Sequence, residues 1–127
     1  MPDTARRSAA HATGVMGETR AAEYLRSEGY TILARNFRTR AGEIDIIAEK
    51  SGTVVFVEVK TWNALSEVDL EYSIDRRKRL RILGAAKAFL ARNRDLAEEG
   101  LRFDVLLLDG SSSRVMHIEE AFCGGND

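Results

Sequence analysis

The chain has 127 residues, of which 44% are hydrophobic, 31% are charged and 7% are aromatic. This size and composition predict one compact domain over residues 14–122, between a flexible arm at 1–13 and a flexible tail at 123–127. The single cysteine, Cys123, excludes an internal disulfide, and no apolar stretch approaches the roughly 20 residues of a membrane span. Because a signal-peptide hydrophobic run is also missing, we expect a cytoplasmic protein without a membrane partner.

The first predicted elements are a helix and a three-stranded antiparallel meander. The helix lies between Gly14 and Gly29, the second glycine forms its C-terminal cap, and its apolar stripe contains Val15, Ala21, Ala22 and Leu25. Three strands are predicted at Thr31 to Phe37, Glu43 to Glu49 and Thr53 to Lys60. The residues at 50–52 make a tight hairpin between the last two of these strands.

The second half of the chain adds a helix and two strands. Apolar spacing predicts an amphipathic helix from Ser73 to about Asn93. The unbroken apolar centre of the segment from Arg102 to Asp109 is typical of a strand that is covered on both faces. A helix between strands allows a right-handed crossover, which makes this strand parallel to an earlier one. With a short strand at Val115 to Glu119, the order αβββαββ predicts an α/β fold in which helices flank a mixed β-sheet.

Charged residues interrupt the apolar pattern of the second and third strands. Side chains alternate along a strand, so Glu58 and Lys60 share one face of the third strand with Val54 and Phe56. On the second strand, Asp45 shares a face with Glu43 and Ile47, whereas the opposite face carries Ile44, Ile46 and Ala48. An unpaired carboxylate at the edge of a core costs several kcal/mol, so these groups require a partner or a cation.

Two carboxylates that face each other repel unless a positive charge lies between them, and a divalent ion such as Mg²⁺ meets that need. Lys60 could then orient or deprotonate an attacking water or stabilise developing charge, which is the logic of metal-assisted phosphodiester hydrolysis. The alternative is a structural ion pair of Lys60 with Glu58 or Asp45, and spacing alone favours that alternative.

Two helical residues fit the same site. Glu18 falls on the apolar stripe of the first helix, and Lys78 is in helical register with the apolar face of the second. Each also has a structural explanation: an acidic residue is favoured in the first turn of a helix, and a lysine at the margin of an apolar face can extend its ammonium to water.

Basic residues concentrate at the start of the second helix. The whole chain has 19 basic and 20 acidic residues, but the stretch from Leu70 to Arg94 has eight basic residues and two acidic ones. Such a stripe is typical of contact with a nucleic-acid backbone, although an ordinary solvated helix face remains the alternative. The residues that we expect to contact phosphate are Arg76, Arg77, Lys78, Arg79 and Arg81.

Asp104 and His117 are weaker signals. Asp104 lies in an apolar strand and is best interpreted as a buried structural carboxylate that pairs with Arg102 or a backbone donor. His117 has no second histidine or cysteine at metal-ligand spacing, which favours a structural role.

From about Gly14 to Phe122 the chain resembles the YraN family of small bacterial proteins. The matching segments are GETRAAEYLRSEGY, RNFRTRAGEIDIIA, VVFVEVKTW, Lys78 ahead of AAKAFL, RFDVLLLD and HIEEAF. This resemblance implies a restriction-endonuclease-like fold of the PD-(D/E)XK superfamily, similar to archaeal Holliday junction resolvases. It implies that Asp45 is the metal-binding aspartate, that Glu58 and Lys60 form the E-x-K element, and that Glu18 is the helical glutamate of the resolvase branch.

We therefore expect a Mg²⁺- or Mn²⁺-dependent endonuclease that acts on DNA, with a preference for branched or single-stranded substrates. Asp45 and Glu58 would hold the metal with Glu18 as an additional or water-mediated ligand, and Lys60 would position the water. The alternatives are a non-catalytic nucleic-acid-binding accessory protein and a protein-interaction module. The sequence leaves open whether the chain forms a homodimer, which junction cutters need in order to nick two strands.

Overall fold

A five-stranded mixed sheet with two long helices organises the chain in the computed structural model, which describes residues 16–62 and 76–122. The elements are α1 (16–27), β1 (Thr31–Arg38), β2 (Glu43–Lys50), β3 (Thr53–Trp62), α2 (Arg76–Arg92), a 3-10 turn (Leu96–Glu98), β4 (Gly100–Asp109) and β5 (Val115–Ile118). This confirms the predicted α/β class and the order αβββαββ. The expected arm, the expected tail with Cys123, and the predicted first turn of α2 at 73–75 lie outside the described residues.

The strand order in the sheet is β1-β2-β3-β4-β5, so neighbours in sequence are neighbours in space. The pairs β1–β2, β2–β3 and β4–β5 are antiparallel, and β3–β4 is parallel over the register Thr53↔Gly100 to Trp62↔Asp109. A parallel pair needs a crossover connection, which includes α2 here. The predicted meander and the predicted parallel pairing of the Arg102–Asp109 strand are both confirmed.

Apolar clusters cover both faces of the sheet. Ala21, Ala22 and Leu25 of α1 pack with side chains of the central strands on one face, including Val55, Val57, Leu106 and Leu108. Ile82, Ala85 and Phe89 of α2 pack on the other face, against Val54, Phe56, Phe103 and Val105 among others. The middle strands are therefore buried on both sides, as their continuous apolar runs predict.

The C-terminal end of α1 has the predicted glycine cap. Gly29 has a φ of 91°, a left-handed conformation that favours glycine. The N–H of Gly29 bonds to the carbonyl of Arg26, and the N–H of Tyr30 bonds to the carbonyl of Leu25 at 2.9 Å. The cap turns the chain directly into β1.

Within the described residues, no helix combines the length and apolarity that crossing a bilayer requires.

The alternation of side chains breaks at the middle of β2, contrary to the prediction for Ile44. Ile46 and Ala48 pack on the α1 face, but Ile44 belongs to the α2-side cluster. On β1, Asn36 lies opposite Asp45, between the pairs Arg35↔Ile46 and Phe37↔Ile44, and has a φ of 50°. This left-handed residue interrupts the pleat of β1 opposite the point where the alternation in β2 breaks.

The connection between β1 and β2 packs closely against α2. A Cβ placed on Gly42 would lie 2.2 Å from the carbonyl oxygen of Arg81, and one placed on Gly84 would lie 2.6 Å from the Cβ of Ala41. The ring of Phe37 meets the ring of Phe89 edge-on, with centroids 5.4 Å apart. These contacts fix the position of α2 relative to the start of β2.

A buried polar network around Asp104 joins β4 to β5 and to Tyr30. Asp104 is fully buried and accepts hydrogen bonds from the Arg102 guanidinium at 2.9 Å and from the Glu120 backbone N–H at 3.1 Å. His117 Nε2 lies 2.7 Å from the same carboxylate. Burial raises the pKa of Asp104, but the contacts with His117 and Arg102 outweigh it and the pKa is lowered. The predicted pairing of Asp104 with Arg102 and with a backbone donor is confirmed, and His117 belongs to the same network.

Candidate active site

Asp45 lies where β2 and β3 separate. The β2–β3 ladder extends from Lys50↔Thr53 to Ile46↔Val57. Beyond that last pair, the backbone N–H of Val59 donates to Asp45 Oδ2 at 2.8 Å. A side-chain carboxylate thus takes the place of a backbone acceptor, because a buried N–H needs a partner. This bond holds the carboxylate beside β3, next to Glu58.

Glu58 is buried, at 7% exposure, and interacts with two lysines. Lys78 Nζ of α2 lies 2.5 Å from Glu58 Oε1, and Lys60 Nζ of β3 lies 3.5 Å from the same oxygen. Lys60 and Glu58 are therefore on one face, as alternation predicts, and α2 covers that face. The predicted ion pair of Lys60 with Glu58 is present, but the ammonium of Lys78 is closer.

Asp45 and Glu58 interact directly, and the pair is electrostatically unfavourable when both carboxylates are ionised. Burial, followed by repulsion from Glu58, raises the pKa of Asp45 from 3.8 to about 7. The Val59 N–H and the Lys78 ammonium act in the opposite direction. Because the rise persists in spite of them, the pair can still accept either a proton or a further cation.

The environments of the two lysines change their pKa values in opposite directions. Burial, with the neighbouring Lys78 ammonium, lowers the pKa of Lys60. Burial also disfavours the charged form of Lys78, but its bond to Glu58 outweighs burial and raises its pKa. Lys60 is thus the lysine that gives up its proton more readily, and Lys78 remains charged. Such separation of neighbouring pKa values is typical of acid–base sites.

A cavity of about 240 Å³ opens beside this cluster and is lined by Glu43, Arg77, Lys78, Arg81 and Ile82. Of the predicted phosphate contacts, Arg76, Arg77 and Arg81 are exposed, whereas Lys78 and Arg79 are half-buried. Three of the five are therefore exposed, and two of these three, Arg77 and Arg81, line the cavity beside the site.

Two arginines near the site were missed by the sequence reasoning. Arg38 and Arg40 are exposed at the end of β1 and in the following loop, and Arg38 Nε lies 3.4 Å from Glu43 Oε2. Because the loop at 39–42 packs on α2 at Arg81, these arginines extend the basic surface across to β1. The sequence feature that could have identified them is the RNFRTR segment, in which arginines follow one another without aliphatic residues between them.

Glu18 has a different partner. It is buried and forms an ion pair with Arg35 Nε of β1 at 3.0 Å, and Arg35 also donates to Thr19 Oγ1. Over 16–62 and 76–122, no three acidic, histidine or cysteine side chains are grouped so that they could hold a metal ion. The structure therefore brings together Asp45, Glu58, Lys60 and Lys78. The role of Glu18 as an additional or water-mediated metal ligand stays a prediction.

The donor set of Asp45 and Glu58 fits one hard divalent cation. Mg²⁺ binds proteins through one or two carboxylates and keeps several waters, so a third protein ligand is not required. The repulsion that raises the pKa of Asp45 is the kind of unfavourable charge pair that such an ion relieves.

Comparison with known proteins places the chain in one family. Residues 17–108 match the family described as "Uncharacterised protein family UPF0102". A UPF0102 protein of Rhodopseudomonas palustris strain BisA53 is 46% identical over 121 residues, which cover 95% of this chain and 91% of that protein. Similar proteins occur in Persephonella marina, at 44% identity over 109 residues (86% of this chain, 91% of that protein). A relative from Treponema pallidum strain Nichols is 43% identical over 114 residues (86% and 90%).

Proposed function

The chain belongs to UPF0102, the YraN family, and from its site we propose that it is a metal-dependent endonuclease that hydrolyses DNA phosphodiester bonds. The observation that carries the proposal is the contact of Asp45 and Glu58 at the point where β2 and β3 separate, with Lys60 beside them. The resemblance to PD-(D/E)XK nucleases supports the same assignment, because Asp45, Glu58 and Lys60 are the residues that it matches.

The chemistry needs a cation, a positioned water and stabilisation of developing charge. Bound Mg²⁺ or Mn²⁺ supplies Lewis acidity and lowers the pKa of bound water. Asp45 and Glu58 are the residues that would hold it. Lys60, whose pKa is lowered by burial and by the neighbouring Lys78, is the lysine suited to orient the water or accept its proton.

Substrate binding would use the basic surface around the cavity. Arg76, Arg77 and Arg81 of α2 are exposed beside it, and arginine matches phosphate geometry better than lysine does. Because the guanidiniums lie on one side of the carboxylate cluster, they would hold the backbone that flanks the scissile phosphate. The preference for branched or single-stranded DNA and the cytoplasmic location are parts of the proposal that rest on the resemblance and on the sequence, and the question of a homodimer stays open.

A second candidate is an accessory protein that binds nucleic acid without cutting it. The observation that favours it is the double engagement of Glu58 by Lys78 and Lys60, which already supplies positive charge to that carboxylate. In this case the lysines would be structural, and the basic surface would be the whole functional site.

A nuclease panel separates the two. Duplex, single-stranded, flapped and four-way DNA would be incubated with Mg²⁺ or Mn²⁺, beside the variants Asp45→Asn, Lys60→Met and, as a matched control, Glu23→Gln, which replaces an exposed carboxylate of α1 outside the cavity. We expect cutting that falls at least about 100-fold in the first two variants and survives in the control. DNA binding should survive in all three. Salt-dependent binding without cutting of any substrate would instead support the accessory protein, and cutting that persists in Asp45→Asn would contradict the proposed site.

A further inference from the structure

The ammonium of Lys78 occupies the side of Glu58 from which a cation would be held. Its Nζ lies 2.5 Å from Glu58 Oε1, and the carboxylate is 7% exposed, so few other directions of approach remain. Lys78 comes from α2, and the contact of α2 with Gly42 at Arg81 places this helix over the site. The contact between Lys78 and Glu58 therefore depends on how α2 packs over the sheet and not on the local geometry of β3, which carries Glu58.

We propose that Lys78 is a displaceable resident cation, which holds Glu58 in the metal-free protein and must leave it before a divalent ion can bind. This inference rests on the proposed function, because it assumes the metal site at Asp45 and Glu58. It adds a positioning residue that competes with the metal, in contrast to Lys60, which would serve the reaction itself.

Charge and space both require the displacement. An ammonium and a divalent ion on the same carboxylate oxygen would lie within about 4 Å of each other, where like charges repel strongly because little water screens them. Lys60 lies 3.5 Å from that oxygen, so in its protonated form it adds to this repulsion. The ammonium of Lys78 is the closer of the two and has to move.

Lys78 is the lysine whose side chain can move into neighbouring space. Its side chain is 39% exposed, and it lines the cavity that also contains Arg77 and Arg81. Its flexible four-carbon stem lets the ammonium move from Glu58 towards that cavity without movement of α2. There it would join the guanidiniums that are proposed to hold substrate phosphate.

Calorimetric titration with Mn²⁺ tests this inference on the full-length protein. Lys78→Met should bind Mn²⁺ at least about tenfold more tightly than the wild type, because no ammonium has to be displaced. Lys78→Arg keeps the charge and should bind no more tightly than the wild type. Arg76→Met is the matched control, since it removes an exposed positive charge two positions away on α2 that does not line the cavity, and its Mn²⁺ affinity should change less than about threefold. If Lys78→Met does not fold, Lys78→Gln replaces it.

The outcomes separate this inference from the proposed function. Equal Mn²⁺ affinity in the wild type and Lys78→Met would overturn the displacement and leave the metal site in place. Equal tightening in Lys78→Met and Arg76→Met would also overturn it, since the loss of any nearby positive charge would then explain the gain. A lack of Mn²⁺ binding in every variant would overturn both proposals.

Discussion

The Asp45 carboxylate accepts the backbone N–H of Val59 at 2.8 Å, just beyond the last β2–β3 pair. A side chain that completes a strand in this way has little freedom to move away from its neighbour Glu58. The two carboxylates are therefore held together although their charges repel. Perturbed carboxylate pairs of this kind are found at binding and catalytic sites and also in structural ion-pair networks, and the following variants distinguish the two.

Asp45→Asn should stabilise the metal-free protein, and the gain should grow with pH. Because the folded-state pKa of Asp45 is raised from 3.8 to about 7, folding favours the protonated form, and stability is lost as pH rises from about 4 to about 7. Asparagine does not ionise and can still accept the Val59 N–H. We expect a gain on the order of 1–3 kcal/mol at pH 8 and much less at pH 4.

Urea unfolding in the presence of a chelator, at both pH values, measures this difference. Glu43→Gln is the control, because Glu43 is exposed and its replacement should give no pH-dependent gain. A variant Asp45→Asn that is less stable than the wild type at pH 8 would show that the carboxylate is structural.

Asp104→Asn should have the opposite effect. The pKa of Asp104 is lowered, because the contacts with His117 and Arg102 outweigh burial, so its stabilisation is present above the unfolded-state pKa and is lost as pH falls. Removal of the charge also leaves the Arg102 guanidinium without its carboxylate. We expect a loss of about 3 kcal/mol near pH 7, which shrinks towards pH 3. Thermal or urea unfolding between pH 7 and pH 3 measures this loss of stability. A loss that is independent of pH would contradict an ionic role of Asp104.

Gly42→Ala should weaken both the fold and the site. The added Cβ would lie 2.2 Å from the backbone carbonyl of Arg81, which cannot move unless α2 moves. We expect a destabilisation of about 2–3 kcal/mol by urea unfolding, together with weaker DNA binding, since α2 carries the basic residues.

Gly100→Ala is the matched control for this variant. Its Cβ would meet Thr53 Oγ1 at 3.4 Å, a contact that a small side-chain adjustment relieves. Equal destabilisation by the two alanines would argue against a special role for the approach between Gly42 and Arg81.

Arg38 and Arg40 should contribute to nucleic-acid binding by neutralising phosphates. The double variant Arg38→Ala/Arg40→Ala should lower affinity for single-stranded DNA and reduce the slope of log K against log salt by about 1.4, since each neutralised phosphate contributes about 0.7 to that slope. Fluorescence anisotropy at several salt concentrations measures the slope. Arg26→Ala on the exposed face of α1 is the control, and its slope should equal that of the wild type. An unchanged slope in the double variant would restrict the binding surface to α2.

Local chemistry made most of the elements predictable. The period of two in β2 and β3 located Asp45, Glu58 and Lys60, because side-chain alternation depends only on neighbouring residues of one strand. The helical period and Gly29 located α1, and the uninterrupted apolar run of β4 indicated its burial on both faces. The same alternation rule predicted the wrong face for Ile44 of β2, which lies beside the irregular backbone at Asn36 of β1.

The sequence by itself determined that a carboxylate pair and a lysine lie on adjacent strands beside a basic helix. Only the tertiary structure decided which partner each charge takes: Lys78 approaches Glu58 more closely than Lys60 does, Glu18 pairs with Arg35, and Asp45 binds the backbone of Val59. These partners come from different elements. Their distances depend on how the strands separate and how closely α2 approaches Gly42, and no periodicity within a single segment encodes either quantity.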